Sequence, residues 1–306
     1  MVRALGVGRA GIYRLARPRR ADEPVVRRAI LQIAGQFTEY GYRPVTKELH
    51  RRSLRVNSKR VRRIMREEHL QGSNKRPKGG PKYLRHALPI YPNRAAGVQL
   101  SAIDQLWVAD LTYVRLARYW IVVAVILDAF SRRCIGWALE AHLGVELTLG
   151  ALRMALARRR PAPGLIHHSD QGVQYAAHEY VAVLRDHRIE ISMSRAGKPN
   201  DNAACERFIR TLKHEEIYLR DYADIEDARR CIGRFLDDIY NYKRLHSALG
   251  WMPPAEFEAK HLEGSLIASP TKLAVSCEGA LRTSNKQNHA RCVPSPWRMT
   301  QRVSSS

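Results

Sequence analysis

The chain has 306 residues, enough for two or three modules, and its 45% hydrophobic content can fill real cores. Lysine and arginine number 52 against 29 acidic residues, a formal net charge of +23, and such an excess works against compactness unless a polyanion neutralises it. Nucleic acid is the partner this implies. No run approaches the roughly 18 to 20 apolar residues of a membrane span, and residues 1–10 lack the apolar stretch and cleavage site of a secretion signal. A soluble, cytoplasmic protein is expected. The cysteines, Cys134, Cys205, Cys231, Cys277 and Cys292, are widely spaced and form no Cys-x-x-Cys pair, which argues against disulfides or zinc and for reduced, mostly buried thiols.

Charge divides the chain. Residues 1–86 hold 23 Lys and Arg against 6 Asp and Glu, a surplus of 17, and the other 220 residues carry the remaining 6. Within this basic front, Asp22 and Glu23 precede Pro24, and Val26, Ile30, Ile33 and Phe37 recur at helical spacing until Gly41. A second short helix fits 44–52. A third fits 58–69, with Asn57 as its N-cap and Gly72 just past its end. Three helices with short turns suggest a helix-turn-helix DNA-binding region over 1–72. In the third helix Val61, Ile64 and Met65 can face a core while Lys59, Arg60, Arg62, Arg63 and Arg66 stay on the outer face, as a helix lying in a DNA groove requires. Arg60 and Arg63 are placed as base readers; a merely solvated basic face is the plainer alternative. Further upstream, residues 5–13 resemble the second half of a helix-turn-helix.

Residues 73–100 break into prolines, glycines and cations and read as a basic linker. Beyond it, strand-like runs at 107–114, 119–130 and 132–140 precede a helical pattern at 145–160 closed by Pro161. A short strand at 165–168, a helix at 177–187 and a strand at 189–193 follow. Five strands with interspersed helices make a mixed α/β sheet in three layers, with helices over both faces. A polar loop at 194–202 then leads into a helix at 203–218 and another at 225–245. From 261 to 306 no periodicity is sustained, and that stretch reads as a disordered tail.

The carboxylates carry the chemistry. Asp110 sits inside the first strand between apolar neighbours, where an acid is expensive unless paired or metal-bound. Asp170 ends the fourth strand, where α/β sheets place their reactive groups. Glu206 lies one turn into the helix that follows the polar loop. A strand, a strand end and a helix can bring three acids to one divalent-metal site, oxygen donors suiting Mg²⁺ or Mn²⁺. Two ions about 4 Å apart can activate a hydroxyl and stabilise the leaving oxygen of an in-line phosphoryl transfer.

Four segments sharpen this reading: WVADLTY at 107–113, ILDAFSR at 126–132, HSDQGVQY at 168–175 and KPNDNAACERF at 198–208. They resemble the second-reading-frame DDE transposases of bacterial insertion sequences, whose catalytic core is similar to that of retroviral integrases. The 35 residues between Asp170 and Glu206 match that family's spacing, and VNSKRV at 56–61, YNYKRLH at 240–246 and PPAEF at 253–257 extend the likeness over about 40–260. The resemblance implies an RNase H-like core over 101–260 and metal-dependent DNA strand cleavage and transfer at element ends. It implies Asp110, Asp170 and Glu206 as catalytic metal ligands for two Mg²⁺ or Mn²⁺ ions, and Lys213, two helical turns past Glu206, as a DNA contact. Its partners would be double-stranded DNA, further copies of the chain and a first-frame product of the same element. Two other functions fit the motifs: an RNase H-like nuclease without transfer, and a regulator that only binds DNA. The family pattern treats Asp128 as architectural. A structural role is favoured for His167 and His168, since hard Mg²⁺ selects oxygen. The loop 197–201 reads equally as a mobile flap over substrate or a plain entry turn.

Overall fold

The structure is a computed structural model that describes residues 22–70, 88–196 and 198–267. The motif at 5–13, most of the basic linker and the tail beyond 267 lie outside the described residues. Three helices come first: α1 (Glu23–Gln36), α2 (Tyr42–Arg51) and α3 (Ser58–Glu67). Pro24 occupies the first turn of α1, and the Asn57 side chain accepts the Lys59 backbone N–H at 2.8 Å to cap α3. Their apolar stripes meet in one core of Val26, Ile30, Ile33, Val45, Leu49, Val61 and Ile64. Leu245, from the far end of the chain, completes that core, and its backbone N–H donates to the Tyr40 hydroxyl at 2.7 Å. The small domain is therefore docked on the main body, with Arg51 also paired to Glu256 at 2.6 Å.

Two of the outer-face arginines of α3 are engaged within the domain: half-buried Arg60 donates to both carboxylate oxygens of Asp22 at 2.9 Å, and exposed Arg63 reaches Glu23 at 2.8 Å and Glu67 at 2.5 Å. The acids at the start of α1 draw these guanidinium groups back across the domain.

The main body is a sheet of β1 (Leu106–Arg115), β2 (Trp120–Asp128), β3 (Cys134–Glu140), β4 (Ile166–Ser169) and β5 (Glu190–Met193) in the order β3-β2-β1-β4-β5. The first three pair antiparallel, and β1, β4 and β5 run parallel. From Ile121 to Asp128 every residue of β2 is buried, as in a strand covered on both faces. One cover is α4 (Val145–Arg159) with α5 (His178–Asp186); the other is α6 (Ala203–Glu215) with α7 (Ile225–Arg234). Gly136 lets α4 lie directly on the sheet, since a Cβ there would sit 2.2 Å from the Ala151 carbonyl oxygen.

Two elements differ from the sequence pattern. The long helix of 225–245 is α7 followed by a π-helical turn, Phe235–Tyr240, a rare geometry that a 3.6-residue period cannot announce. Just beyond it, Asn241 pairs with β3 as a strand would, donating to the Cys134 carbonyl at 2.9 Å and accepting its N–H at 3.0 Å. The last described helix, α8 (Pro254–Ile267), runs past 260, and His261 sets its ring 4.9 Å from that of Phe130. Its buried Glu258 accepts from Ser131 and Arg133, each at 2.6 Å, and pairs with Arg159. Asp128 is a turn brace, accepting the backbone N–H of Ser131 at 2.7 Å and of Asp104 at 2.6 Å.

Candidate active site

The sheet register brings two of the acids together. In the parallel pairing of β1 with β4, Val108 stands opposite His168, so two residues further along each chain Asp110 and Asp170 fall side by side. β4 stops at Ser169, and the turn that follows is held by the Gly172 N–H donating to Asp170 Oδ1 at 3.0 Å. Asp110 Oδ1 accepts the Leu111 N–H at 2.8 Å.

Glu206 arrives on α6. Asn202, buried at the head of that helix, donates Nδ2 to the Ala109 carbonyl at 2.9 Å, and Cys205 packs fully buried beside Val108. These contacts fix the first turn of α6 against β1, one residue from Asp110. At its other end α6 is clamped by Arg244, whose Nε and Nη2 donate to the two oxygens of Glu215 at 2.8 and 2.7 Å. Asp110, Asp170, Glu206 and Lys213 thus line one open cleft of 2040 Å³. That exceeds the roughly 300–1,000 Å³ of small-molecule sites and suits a polymer.

The cleft is electrostatically tense. Burial pushes the Asp110 carboxyl up to about 7, and the negative charges of Asp170 and Glu206 push the same way, against the Leu111 N–H and Lys213. Burial draws Lys213 below the ordinary lysine range, opposed by Asp110. Among the described residues, no group of three or more His, Cys, Asp or Glu is already gathered closely enough to hold a metal ion.

The neighbouring histidines are structural. His168 shares hydrogens with Ser192 Oγ at 2.8 Å and Ser194 Oγ at 3.0 Å, and His167 Nε2 meets the Tyr180 hydroxyl at 2.9 Å. Burial lowers their pKa to about 4 and about 3, so both stay neutral. In the loop before α6, Asp201 accepts from Arg195 at its N–H and guanidinium, 2.8 to 3.0 Å, and from Asn93 Nδ2 at 2.9 Å. Asp201 thus closes an entry turn. On α3, Lys59, Arg62 and Arg66 are exposed, with Arg62 over the Tyr42 ring at 5.5 Å.

Comparison with known proteins agrees with this architecture. Residues 101–199 and 187–254 match two family models described as integrase core domain, and residues 20–78 match an HTH-like domain. The transposase for insertion sequence element IS904 of Lactococcus lactis subsp. lactis is 34% identical over 247 residues, 78% of this chain and 98% of that protein. The chain belongs to the insertion-sequence transposases. This transposase is also 34% identical to the IS600 "uncharacterized 31 kDa protein" of Shigella sonnei over 85% of its own length and 98% of the relative's. InsF of IS3A from Escherichia coli K12 is likewise 34% identical, over 73% and 78% of the two chains. Among solved structures, the HTLV-2 integrase catalytic core domain in complex with magnesium aligns at TM-score 0.42 and 16% identity, covering 51% of the transposase and 97% of that chain. The BIV integrase core aligns at 0.41 and 18%, covering 53% and 99%.

The structure brings the sequence candidates Asp110, Asp170, Glu206 and Lys213 to one cleft, and sequence reasoning did not single out Asn202 or Arg244, which position the helix of Glu206. Asn202 lies inside a motif already quoted, and a buried amide four residues before Glu206 was its available signal. Nothing in the pattern of Arg244 marks it as the clamp of α6.

Proposed function

We propose that the transposase cuts and joins DNA strands at the ends of its insertion sequence, with Asp110, Asp170 and Glu206 as the catalytic carboxylates. The observation that carries this is the convergence of the three on one cleft, where Asp110 is held near neutrality by burial and by its acidic neighbours. Such crowding is stable only when a proton or a cation relieves it. A hard divalent cation fits the donor set, all oxygen and without thiol. Asp110 would hold it from within β1 and Asp170 from just past the end of β4, and the exposed Glu206 side chain has the rotamer freedom to join them. Two Mg²⁺ or Mn²⁺ ions, when bound, supply the Lewis acidity that activates the attacking oxygen and stabilises the leaving one.

The protein's own residues do the rest. Lys213, on the same face of α6 as Glu206, offers its ammonium to the phosphate next to the scissile bond. Exposed Arg207 and Arg210 extend that positive edge along the cleft, and Lys59, Arg62 and Arg66 of α3 hold flanking duplex. Joining two element ends in one reaction calls for a multimer of the chain on DNA, with a first-frame product as a further partner.

The test is incubation of labelled terminal-repeat DNA with the full chain and Mg²⁺ or Mn²⁺. Joined products support strand transfer, cleavage alone supports a nuclease, and binding alone supports a regulator.

A further inference from the structure

A second wall of the cleft has no part in the chemistry above. Tyr113, 53% exposed, and Trp120, 56% exposed, line the same cleft as the three acids. The β1–β2 register pairs Arg115 with Trp120, and Tyr113 lies two residues before Arg115, so the three side chains share one face of the sheet with the rings diagonal to each other. Asp110, three residues before Tyr113, projects from the opposite face. Residues of both faces line the same cleft, and β4 pairs with Leu106, Trp107 and Val108, so that among the described residues no strand flanks the outer half of β1 on that side.

We propose that Tyr113 and Trp120 are a stacking platform for unpaired DNA bases beside the scissile phosphate. This rests on the function proposed above and names the form in which the DNA end is held. Large aromatic faces left half-exposed gain most from flat partners, and every nucleobase has such a face. Bases in an intact duplex are stacked on one another and offer only edges and phosphates to a protein, so the platform fits nucleotides released from pairing. Charge agrees: Arg115 flanks the rings, and Arg210 and Lys213 line the same cleft where the phosphates of such a strand would run.

The experiment compares two duplexes of the same terminal sequence, one fully paired and one with its last three nucleotides mismatched. Affinity is measured for the full-length wild type, Trp120→Ala, Tyr113→Ala and Trp120→Phe, in chelator so that binding is separated from chemistry. Each alanine variant should lose between about 5-fold and 100-fold on the unpaired end, the loss of one stacked base, while binding the paired end as wild type does. Trp120→Phe should keep most of the affinity. Equal losses on both duplexes, or none on either, would overturn the platform, as would a loss accompanied by a smaller sedimentation coefficient, which would assign the patch to a second copy of the chain. A wild type that prefers the unpaired end yet joins no strands in metal would leave the platform standing and sink the transfer reaction instead.

Discussion

Asn202 and Ala109 are 93 residues apart in sequence and share one hydrogen bond of 2.9 Å, and that bond sets the helix bearing Glu206 beside the strand bearing Asp110. Replacing Asn202 by Ala leaves a buried carbonyl unpaired, a cost of about 1–3 kcal/mol. Joining activity should fall more than about tenfold, since misplacement by about 1 Å weakens catalysis by orders of magnitude, with DNA affinity unchanged. A joining rate within twofold of wild type would show that Cys205 and Phe208 position α6 by packing alone.

The carboxylates should behave as one unit. Asp170→Asn and Glu206→Gln are each expected to abolish joining while leaving terminal-repeat binding intact, read by product gels and by titration on the same preparations. Near-normal joining by either variant would remove that residue from the catalytic set.

The arginines of α3 divide into two kinds. Arg60→Ala strips a partner from Asp22 and from buried Glu23, and should lower the melting temperature by about 2–4 °C with little change in the salt dependence of DNA binding. Arg62→Ala and Arg66→Ala should do the reverse, each reducing the log-log salt slope by about 1. Identical salt slopes for all three variants would mean that α3 does not lie on the phosphates.

Breaking the Arg244–Glu215 pair from one side should be costly, because a charge stays behind in a covered place. Arg244→Met is expected to destabilise by about 3–5 kcal/mol in urea unfolding, and the double variant Arg244→Met/Glu215→Leu to recover much of that. Equal stability of single and double variants would show that the pair is not coupled.

Acid should weaken the fold before the active site is considered. Burial holds His167 and His246 at about 3, far below the usual histidine value near 6.5. Below pH 6.5 the unfolded chain takes up protons that the folded chain refuses, so stability is full above that pH and falls as the pH drops toward about 3. The slope is about 1.4 kcal/mol per pH unit for each histidine. Urea midpoints at pH 7, 6 and 5 test this, and a flat profile would place both rings in water.

Much of this was legible because local rules and global fold agree. The apolar neighbours of Asp110, the unbroken apolar β2 and the stop at Ser169–Asp170 are consequences of a central strand, a strand covered on both faces and a strand end, and each writes itself into adjacent residues. The three-helix domain was equally readable from the spacing of Val26, Ile30 and Ile33 and from the Asn57 cap. What stayed hidden depends on partners far away in sequence. Arg60 and Arg63 satisfy the outer-face pattern of α3, and only the packing of α1 against α3 shows that Asp22 and Glu23 claim them. The π turn at Phe235–Tyr240 has no period of its own, and the bonds of Asn202 and Arg244 join segments whose proximity is decided by the whole sheet.

The seating of Leu245 among Val45, Leu49 and Ile64 makes the interior of the amino-terminal helices a joint product of both ends of the fold. Residues 22–70 on their own would leave that socket empty and the Tyr40 hydroxyl without its donor. The two regions should therefore melt together, in one calorimetric transition rather than two. Duplex engaged by the helices would then raise the resistance to unfolding of the catalytic layer as well, so that the cutting apparatus is at its most durable when the molecule already holds DNA.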